Sequence, residues 1–385
     1  MVMEVQKYLR QHGLQKLVDE FHIVVTDYPD RCVLNYDQID SPNFVPVIDE
    51  CRALILRKDD WSVMSRAFDR FYNVGHGEKW KEFKVSLARI DTKIDGSIMS
   101  VYFDGKDWCV STRKMAFAEG TSTFGKTFRE LFNAAAIKTG LWHYLDDRLD
   151  EAGEFTWIFE ITSPESRVVH PYADTEITLI GGRQLASGDE VMGWELDHVA
   201  ELMSVKRPEQ HSFNNIDEVT TAAQNLEVMD EGYVLVMEQS GSFFRLKCKN
   251  PKFVAIAHMR ENGGISPKRI LTLIMANEKD EYLSYFETDK SYFDFVEVIY
   301  KESVNRINTI ASNHMQIASQ KYFALAIMPL TKYDYERGVL FSMRKGASLK
   351  DALDKMGAKK LALALNLRKK FADEFKVETE EDNDA

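Results

Sequence analysis

The chain has 385 residues, 44% hydrophobic and 29% charged, which excludes disordered, collagen-like and membrane-embedded classes and leaves room for one large domain or two ordinary ones. Its 49 lysines and arginines face 61 acidic residues, a formal charge of −12, so a surface coated in basic charge is excluded but a local basic groove is not. Cys32, Cys51, Cys109 and Cys248 form no Cys-x-x-Cys pair or Cys/His cluster, so neither a zinc site nor a disulfide framework is expected.

Met1 to Glu20 has no signal-peptide core, and no later stretch reaches the roughly 18–20 apolar residues of a membrane span. The expected location is the cytoplasm. Val5, Leu9, Leu14, Leu17, Val18 and Phe21 recur near helical spacing and predict an amphipathic helix interrupted at Gly13. From about Arg31 to Lys249 short β-rich runs follow: Cys32–Tyr36, Arg52–Leu56, Ile98–Phe103, Phe155–Ile161, Ile177–Ile180, Tyr233–Met237 and Phe243–Leu246. Turn signals such as Asp104-Gly105 separate them, and helices are expected near 124–135 and 217–226. This predicts an α+β fold dominated by antiparallel strands. After Pro267 the pattern becomes helical, through Phe293, Val296, Ile299, Val304, Ile307 and Ile310, then Leu361, Leu363, Leu365, Leu367 and Phe371. A domain boundary is expected around Asn262-Gly263-Gly264, and the acidic end from Glu378 to Asp384 reads as a solvated tail.

The chain has no Gly-x-x-x-x-Gly-Lys-Ser/Thr loop, no Gly-x-Gly-x-x-Gly turn after a strand, no His-Glu-x-x-His helix and no Gly-x-Ser-x-Gly elbow. A nucleotide enzyme built on it must hold phosphate with side chains. The candidate nucleophile segment is Lys93-Ile94-Asp95-Gly96, just before a predicted strand. Taken alone, Lys-x-Asp-Gly is a pattern that chance often supplies, and its bland alternative is a solvated lysine beside a turn. Four further elements follow in order. Glu160 lies inside the apolar run Trp157–Ile161, and Leu179–Arg183 is an apolar strand ending in a basic residue. Asp230-Glu231-Gly232 opens another strand, and Lys247 and Lys249, two apart, share one strand face.

These residue types suit phosphoryl chemistry. A lysine amine attacks only when neutral, so it needs burial or nearby cations to lower its pKa. Lysines such as Lys247 and Lys249 can neutralise non-bridging oxygens, while Glu160 and Glu231 can hold Mg²⁺ or its waters. Each residue has a bland alternative: a surface lysine, a generic turn at Asp95 and Gly96, water-facing glutamates, or lysines that solubilise an edge strand. Tyr36, Phe71 and Tyr72 are first expected in the core and second as stacking partners of adenine or an RNA base. His76 and His170 have no metal partner at useful spacing and read as ordinary residues.

The ordered set resembles the covalent nucleotidyltransferase superfamily of ATP-dependent ligases and RNA capping enzymes, with Lys93–Gly96, Glu160, Leu179–Arg183, Glu231-Gly232 and Lys247/Lys249 matching its successive motifs. Within it the chain resembles the phage RNA ligase 1 family, the tRNA-repairing branch. Glu50-Cys51-Arg52-Ala53 is similar to that family's Glu-Cys-Arg-Gly strand, and Ser65–Asn73 to its Ser-Arg-Pro-x-x-Lys-Phe-Phe-Asn segment. Three positions depart: Ala53 stands for a glycine, and Arg70 and Arg113 stand for lysines.

The resemblance implies an α+β nucleotidyltransferase domain (an ATP-grasp-like ligase domain) of antiparallel sheets with flanking helices over residues 1–255. An all-α, RNA-recognising domain would cover 256–376, with a disordered acidic tail at 377–385. It implies that Lys93, Asp95, Lys247 and Lys249 are catalytic. Arg52, Arg70, Lys93, Gly96, Glu160, Glu231, Lys247 and Lys249 would bind ATP, with Glu160 and Glu231 as ligands of Mg²⁺, for which Mn²⁺ substitutes. The implied activity joins 5′-phosphate and 3′-hydroxyl RNA ends through lysyl-AMP and RNA-adenylate. The implied partner is a nicked tRNA anticodon loop or single-stranded RNA, the implied state a monomer away from membranes. Lys359, Lys360, Arg368, Lys369 and Lys370 are either RNA contacts or a solvated helix face. A DNA ligase, a capping guanylyltransferase and a non-catalytic RNA-binding relative remain alternatives. The first two normally carry a β-barrel where this chain reads as helical.

Overall fold

The computed structural model describes residues 2–38, 40–122, 125–239, 242–259 and 265–375. The expected boundary at Asn262-Gly263-Gly264 and the acidic tail at 377–385 lie outside them. The described chain forms two compact units that divide between Ala257 and His258.

Among its described residues the first unit carries thirteen strands: β1 Ile23–Asp27, β2 Arg31–Tyr36, β3 Leu54–Arg57, β4 Val63–Ser65, β5 Tyr72–Asn73, β6 Ala88–Thr92, β7 Ser97–Phe103, β8 Trp108–Thr112, β9 Phe155–Thr162, β10 Glu176–Gln184, β11 Gln210–His211, β12 Gly232–Gln239 and β13 Ser242–Lys249. They pair as three sheets, ordered β1-β2-β3-β4, β10-β9-β7-β8 and β11-β6-β12-β13-β5. Every pair is antiparallel except β13 with β5. All seven strands expected from the sequence are present, and the fold adds β1, β4, β5, β6, β8 and β11.

Side-chain alternation explains the packing. In the first sheet Cys32, Leu34, Leu54 and Leu56 face the opening helices through Val5, Leu9 and Leu17, while Val33 and Ile55 face Met64 and Tyr102. Those helices span Glu4–His12 and Leu14–Phe21 and break at Gly13, as the spacing predicts. The second sheet buries Met99, Val101, Phe159, Ile161 and Leu179 against Phe132, Leu145 and Leu196 of three covering helices. Its opposite face presents Ile98, Ile158 and Ile180 to Ala53, Ala67, Phe68 and Phe71. The third sheet buries Ile90, Leu235, Leu246 and Cys248 against Val219 and Ala223 of the helix Ile216–Asn225. By parity, Glu160 is left on the second sheet's other face, and Lys247 and Lys249 on that of the third. The apolar halves of these strands thus fix where the charged halves point.

The second unit is helical among its described residues, with a long helix Lys290–His314 burying Phe293, Val296, Ile307 and Ile310. The run Leu361–Leu367 departs from expectation. Its period of two fits no helix face, and the chain breaks between the helices Ala358–Ala364 and Leu367–Phe375, with Asn366 at φ 52° and Leu363 exposed. No helix among the described residues is long and apolar enough to cross a membrane.

Candidate active site

Lys93 follows the last residue of β6. Its backbone N–H donates to the Gly232 carbonyl at 2.8 Å, so the turn that bears it is stitched to the first residue of β12. Its Nζ donates to Glu231 Oε2 at 2.7 Å, and the other oxygen of Glu231 lies 2.9 Å from Lys249 Nζ. Glu231, 7% exposed, is therefore the centre of a Lys–Glu–Lys triad. Two glycines allow this closeness. A Cβ on Gly232, whose φ is +134°, would come within 2.1 Å of the Cys248 carbonyl oxygen on β13, and a Cβ on Gly96 within 2.4 Å of the Ile161 carbonyl oxygen. Gly96 thus lets the nucleophile turn press against β9 beside Glu160. The closeness that requires a glycine at 96 is to protein backbone.

The electrostatics run against one expectation, a lysine amine lowered by burial or by nearby cations. Burial does push the Lys93 amine down, but Glu231, Glu160 and Asp95 outweigh it, and its pKa lies above the ordinary lysine value. In this state Lys93 is an ammonium. The depressed lysine is Lys247: burial, then Arg52, Lys249 and Lys93, lower it to about 7. Its Nζ sits 4.9 Å from the centre of the Phe71 ring. Glu160 moves the other way, raised to about 7 by burial and by Glu231 and Asp95 against the pull of Lys93 and Arg52. Burial also raises Glu231, but Lys93 and Lys249 dominate and hold it below the usual carboxylate range.

Among the described residues no group of three or more His, Cys, Asp or Glu side chains forms a metal nest. The residues present still fit a hard divalent ion that keeps water and phosphate ligands. Burial, and after it Glu231 and Asp95, raise the Glu160 carboxyl, and a cation placed there would offset the acidic part of that pressure. Asp95 is placed differently from expectation. It is 5% exposed, and its Oδ2 accepts the backbone N–H groups of Val169 and His170 at 2.8 and 2.7 Å, so it binds a loop.

Arg52 donates to the Phe68 carbonyl at 3.3 Å, its guanidinium 5.2 Å from the Phe71 ring centre. Burial pulls its pKa down. Arg70 and Arg113 stand over the ring of Tyr36, at 4.0 and 4.6 Å from its centre. Arg70 also donates to the Pro42 carbonyl at 3.2 Å, a combination of flat stacking and planar donation that lysine lacks. Tyr72 packs in the fold, its hydroxyl bonded to Asp49. Arg183, 6% exposed, is structural: it donates to the Ala67 and Gly188 carbonyls at 2.8 and 2.9 Å.

Three neighbours of the site have no role in the sequence analysis. Asn250, wholly buried, donates its side chain to the Glu227 and Asp230 carbonyls at 2.8 and 3.1 Å and its N–H to the Glu231 carbonyl at 2.9 Å, fixing the approach to the triad. His170, read as ordinary, has Nδ1 3.7 Å from Asp230 Oδ1. The Tyr172 hydroxyl lies in the field of Asp95, Glu160 and Glu231, and burial raises its pKa. Only Asn250, next to the Lys-x-Lys strand, carried a local cue.

A family model described as RNA ligase matches residues 50–253. Over 308 residues the chain is 29% identical to a protein of Autographa californica nuclear polyhedrosis virus named "Putative bifunctional polynucleotide kinase/RNA ligase", covering 75% of this chain and 42% of that one. It is 28% identical to an RNA ligase of Rhodothermus phage RM378, covering 60% and 65% of the two chains. The chain thus spans less than two thirds of the length of these relatives. An archaeal ATP-dependent RNA ligase structure overlays loosely, with a TM-score of 0.46 and 11% identity over 75% of this chain and 73% of that one.

Proposed function

The chain belongs to the RNA ligase family, and from that premise we propose that it is an ATP-dependent RNA ligase joining 5′-phosphate and 3′-hydroxyl ends. One observation carries the reading: the Lys93 amine lies 2.7 Å from Glu231, in a charged cluster that also gathers Lys249, Lys247 and Glu160. In the first step Lys93 Nζ bonds to the α-phosphorus of ATP, the bond to the β-phosphate bridging oxygen breaks, and pyrophosphate leaves. The adenylate then passes to an RNA 5′-phosphate, and an RNA 3′-hydroxyl displaces AMP.

Lys93 rests as an ammonium because the acids around it outweigh its burial, so it must shed a proton before attacking. Glu160 and Glu231 would hold Mg²⁺ or Mn²⁺, which when bound supplies positive charge that offsets these carboxylates and the phosphates. Lys247 and Lys249, side by side on β13, would neutralise phosphate oxygens, and anionic phosphate would restore the proton that burial makes Lys247 hold weakly.

The substrate we propose is a single-stranded RNA end, such as a broken tRNA anticodon loop, with the helical unit contacting the RNA. The resemblance supports this. So does the viral relative's name, which pairs an RNA ligase with a polynucleotide kinase, an activity that makes 5′-phosphate ends. The test is incubation with α-labelled ATP and Mg²⁺, then sealing of a 5′-phosphorylated single strand, a nicked duplex and a nicked tRNA stem-loop. Labelled protein is expected for the wild type and none for Lys93→Ala. A labelled Lys93→Ala protein, or sealing of the nicked duplex alone, would contradict the reading.

A further inference from the structure

Of the lysines near the end of the helical unit, Lys370 stands apart. Lys359, Lys360 and Lys369 are exposed, whereas Lys370 is half-buried and its Nζ donates to the Tyr333 hydroxyl at 3.1 Å. Asp373 and Glu374 follow it by three and four residues on the helix Leu367–Phe375, the spacing at which acid–base pairs form. Among the described residues Lys370 pairs with neither, and Lys332 forms no ion pair. Lys332 Nζ lies 5.4 Å and Lys370 Nζ 5.6 Å from the centre of the Tyr333 ring. Burial pushes this phenol up, but Lys370 and Lys332 outweigh it and hold its pKa below the ordinary value. Two ammonium groups thus make one positive site around a single hydroxyl.

A buried acid holds this site in place. Glu336, fully buried, accepts the backbone N–H groups of Lys332 and Tyr333 at 2.7 and 3.2 Å on Oε2 and the Arg306 guanidinium at 2.9 Å on Oε1. Arg306 neutralises that acid, so the charges of Lys332 and Lys370 are left for a ligand. These cations and Tyr333 line a cavity of about 460 Å³, a volume in the range of ligand sites. Phe295 and Ile299 give it an apolar wall, and Glu302, Asp373 and Glu374 also line it. We propose that this cavity is an RNA subsite of the helical unit that takes one ribonucleotide of the strand. Its phosphate would sit on Lys332 and Lys370, its ribose 2′-hydroxyl on Asp373 or Glu374, and its base against Phe295 and Ile299. The mixed charge selects this ligand. A phosphodiester brings one negative charge to the lysines, whereas a free nucleotide brings more and meets the acids. Ribose hydroxyls donate to carboxylates, and the 2′-hydroxyl distinguishes RNA from DNA.

The choice of RNA rests on the ligase reading, and the test separates the two. The full chain is titrated against a fluorescent single-stranded RNA and the DNA of the same sequence, followed by anisotropy. Lys332→Ala combined with Lys370→Ala should weaken RNA binding roughly 10-fold and lower the slope of log affinity against log salt by about 0.7, the loss of one phosphate contact. Lys359→Ala combined with Lys360→Ala removes the same charge from exposed positions outside the cavity and should stay within about twofold of wild type. Lys332→Ala alone, a change at an exposed side chain, should cost about threefold and tests the site even where the double variant fails to fold. Asp373→Ala combined with Glu374→Ala should cut the preference for RNA over DNA by about fivefold. Protein–AMP formation from labelled ATP, a step that uses no RNA, should be unchanged in each. Equal losses from the two lysine pairs, no loss from the cavity lysines, or an unchanged RNA preference in the acid variant would each overturn the proposal. A wild-type protein that binds RNA through these lysines but forms no protein–AMP would instead overturn the ligase reading.

Discussion

Replacing Gly232 with alanine tests how the triad is assembled. The new Cβ would lie 2.1 Å from the Cys248 carbonyl oxygen and 2.9 Å from Lys249 Cα, both backbone atoms of β13 that cannot rotate away. Relief requires β12 and β13 to separate by roughly 1 Å, an overpacking cost of about 1–3 kcal/mol. A φ of +134° in a residue with a side chain adds about 1–3 kcal/mol. The stiffer unfolded chain returns about 0.4–1 kcal/mol. The expected loss is about 1–5 kcal/mol, read as a lower urea midpoint followed by circular dichroism. Gly13→Ala is the control: its φ is +81° but nothing lies within 4 Å of the added Cβ, so only the backbone strain of about 1–3 kcal/mol, less about 0.4–1 kcal/mol for the stiffer unfolded chain, is expected. Because Glu231 precedes Gly232 and Lys93 N–H binds the Gly232 carbonyl, protein–AMP formation should fall by about 100-fold. A Gly232→Ala protein no less stable than Gly13→Ala, with wild-type adduct formation, would refute the close-approach argument.

Glu160→Gln tests the buried acid. Its carboxyl is raised from 4.5 to about 7, so the neutral form is favoured on folding, and that stability is present below pH 4.5 and lost as pH rises to about 7. The difference of about 2.5 units corresponds to roughly 3 kcal/mol at most, so without Mg²⁺ the glutamine variant should melt higher than wild type at pH 8 and similarly at pH 4.5, while losing adenylation. Lys247, lowered to about 7, loses its charge as pH rises through that value. ATP affinity, followed by calorimetry, should therefore weaken above pH 7, and Lys247→Arg should flatten that limb; an unchanged slope would remove Lys247 from phosphate contact. Ala53 sits at φ 54° with 3% exposure, where the related family has glycine. Ala53→Val should cost at least about 2 kcal/mol in a urea titration, whereas Ala53→Gly should lie within about 1 kcal/mol of wild type because relieved strain offsets lost chain stiffness.

The sequence by itself marked the strand around Glu160 as an apolar β-rich run, and alternation put Lys247 and Lys249 on one strand face. The order of Lys93, Glu160, Glu231 and the paired lysines pointed to the chemistry before any coordinates. Two things needed the fold. The first is charge state. Lys93 and Lys247 are both lysines near strand ends, yet one rests fully charged and the other titrates near 7, because pKa depends on which carboxylates and cations fall within a few ångströms and on how much water is excluded. The second is the division of labour. Asp95 was placed among the catalytic groups but spends its oxygen on the Val169 and His170 amides, and Asn250 and Tyr172 carry no motif. Hydrogen bonds between residues 74 or 75 apart in sequence leave no local pattern, since only the closure of sheets brings their partners together.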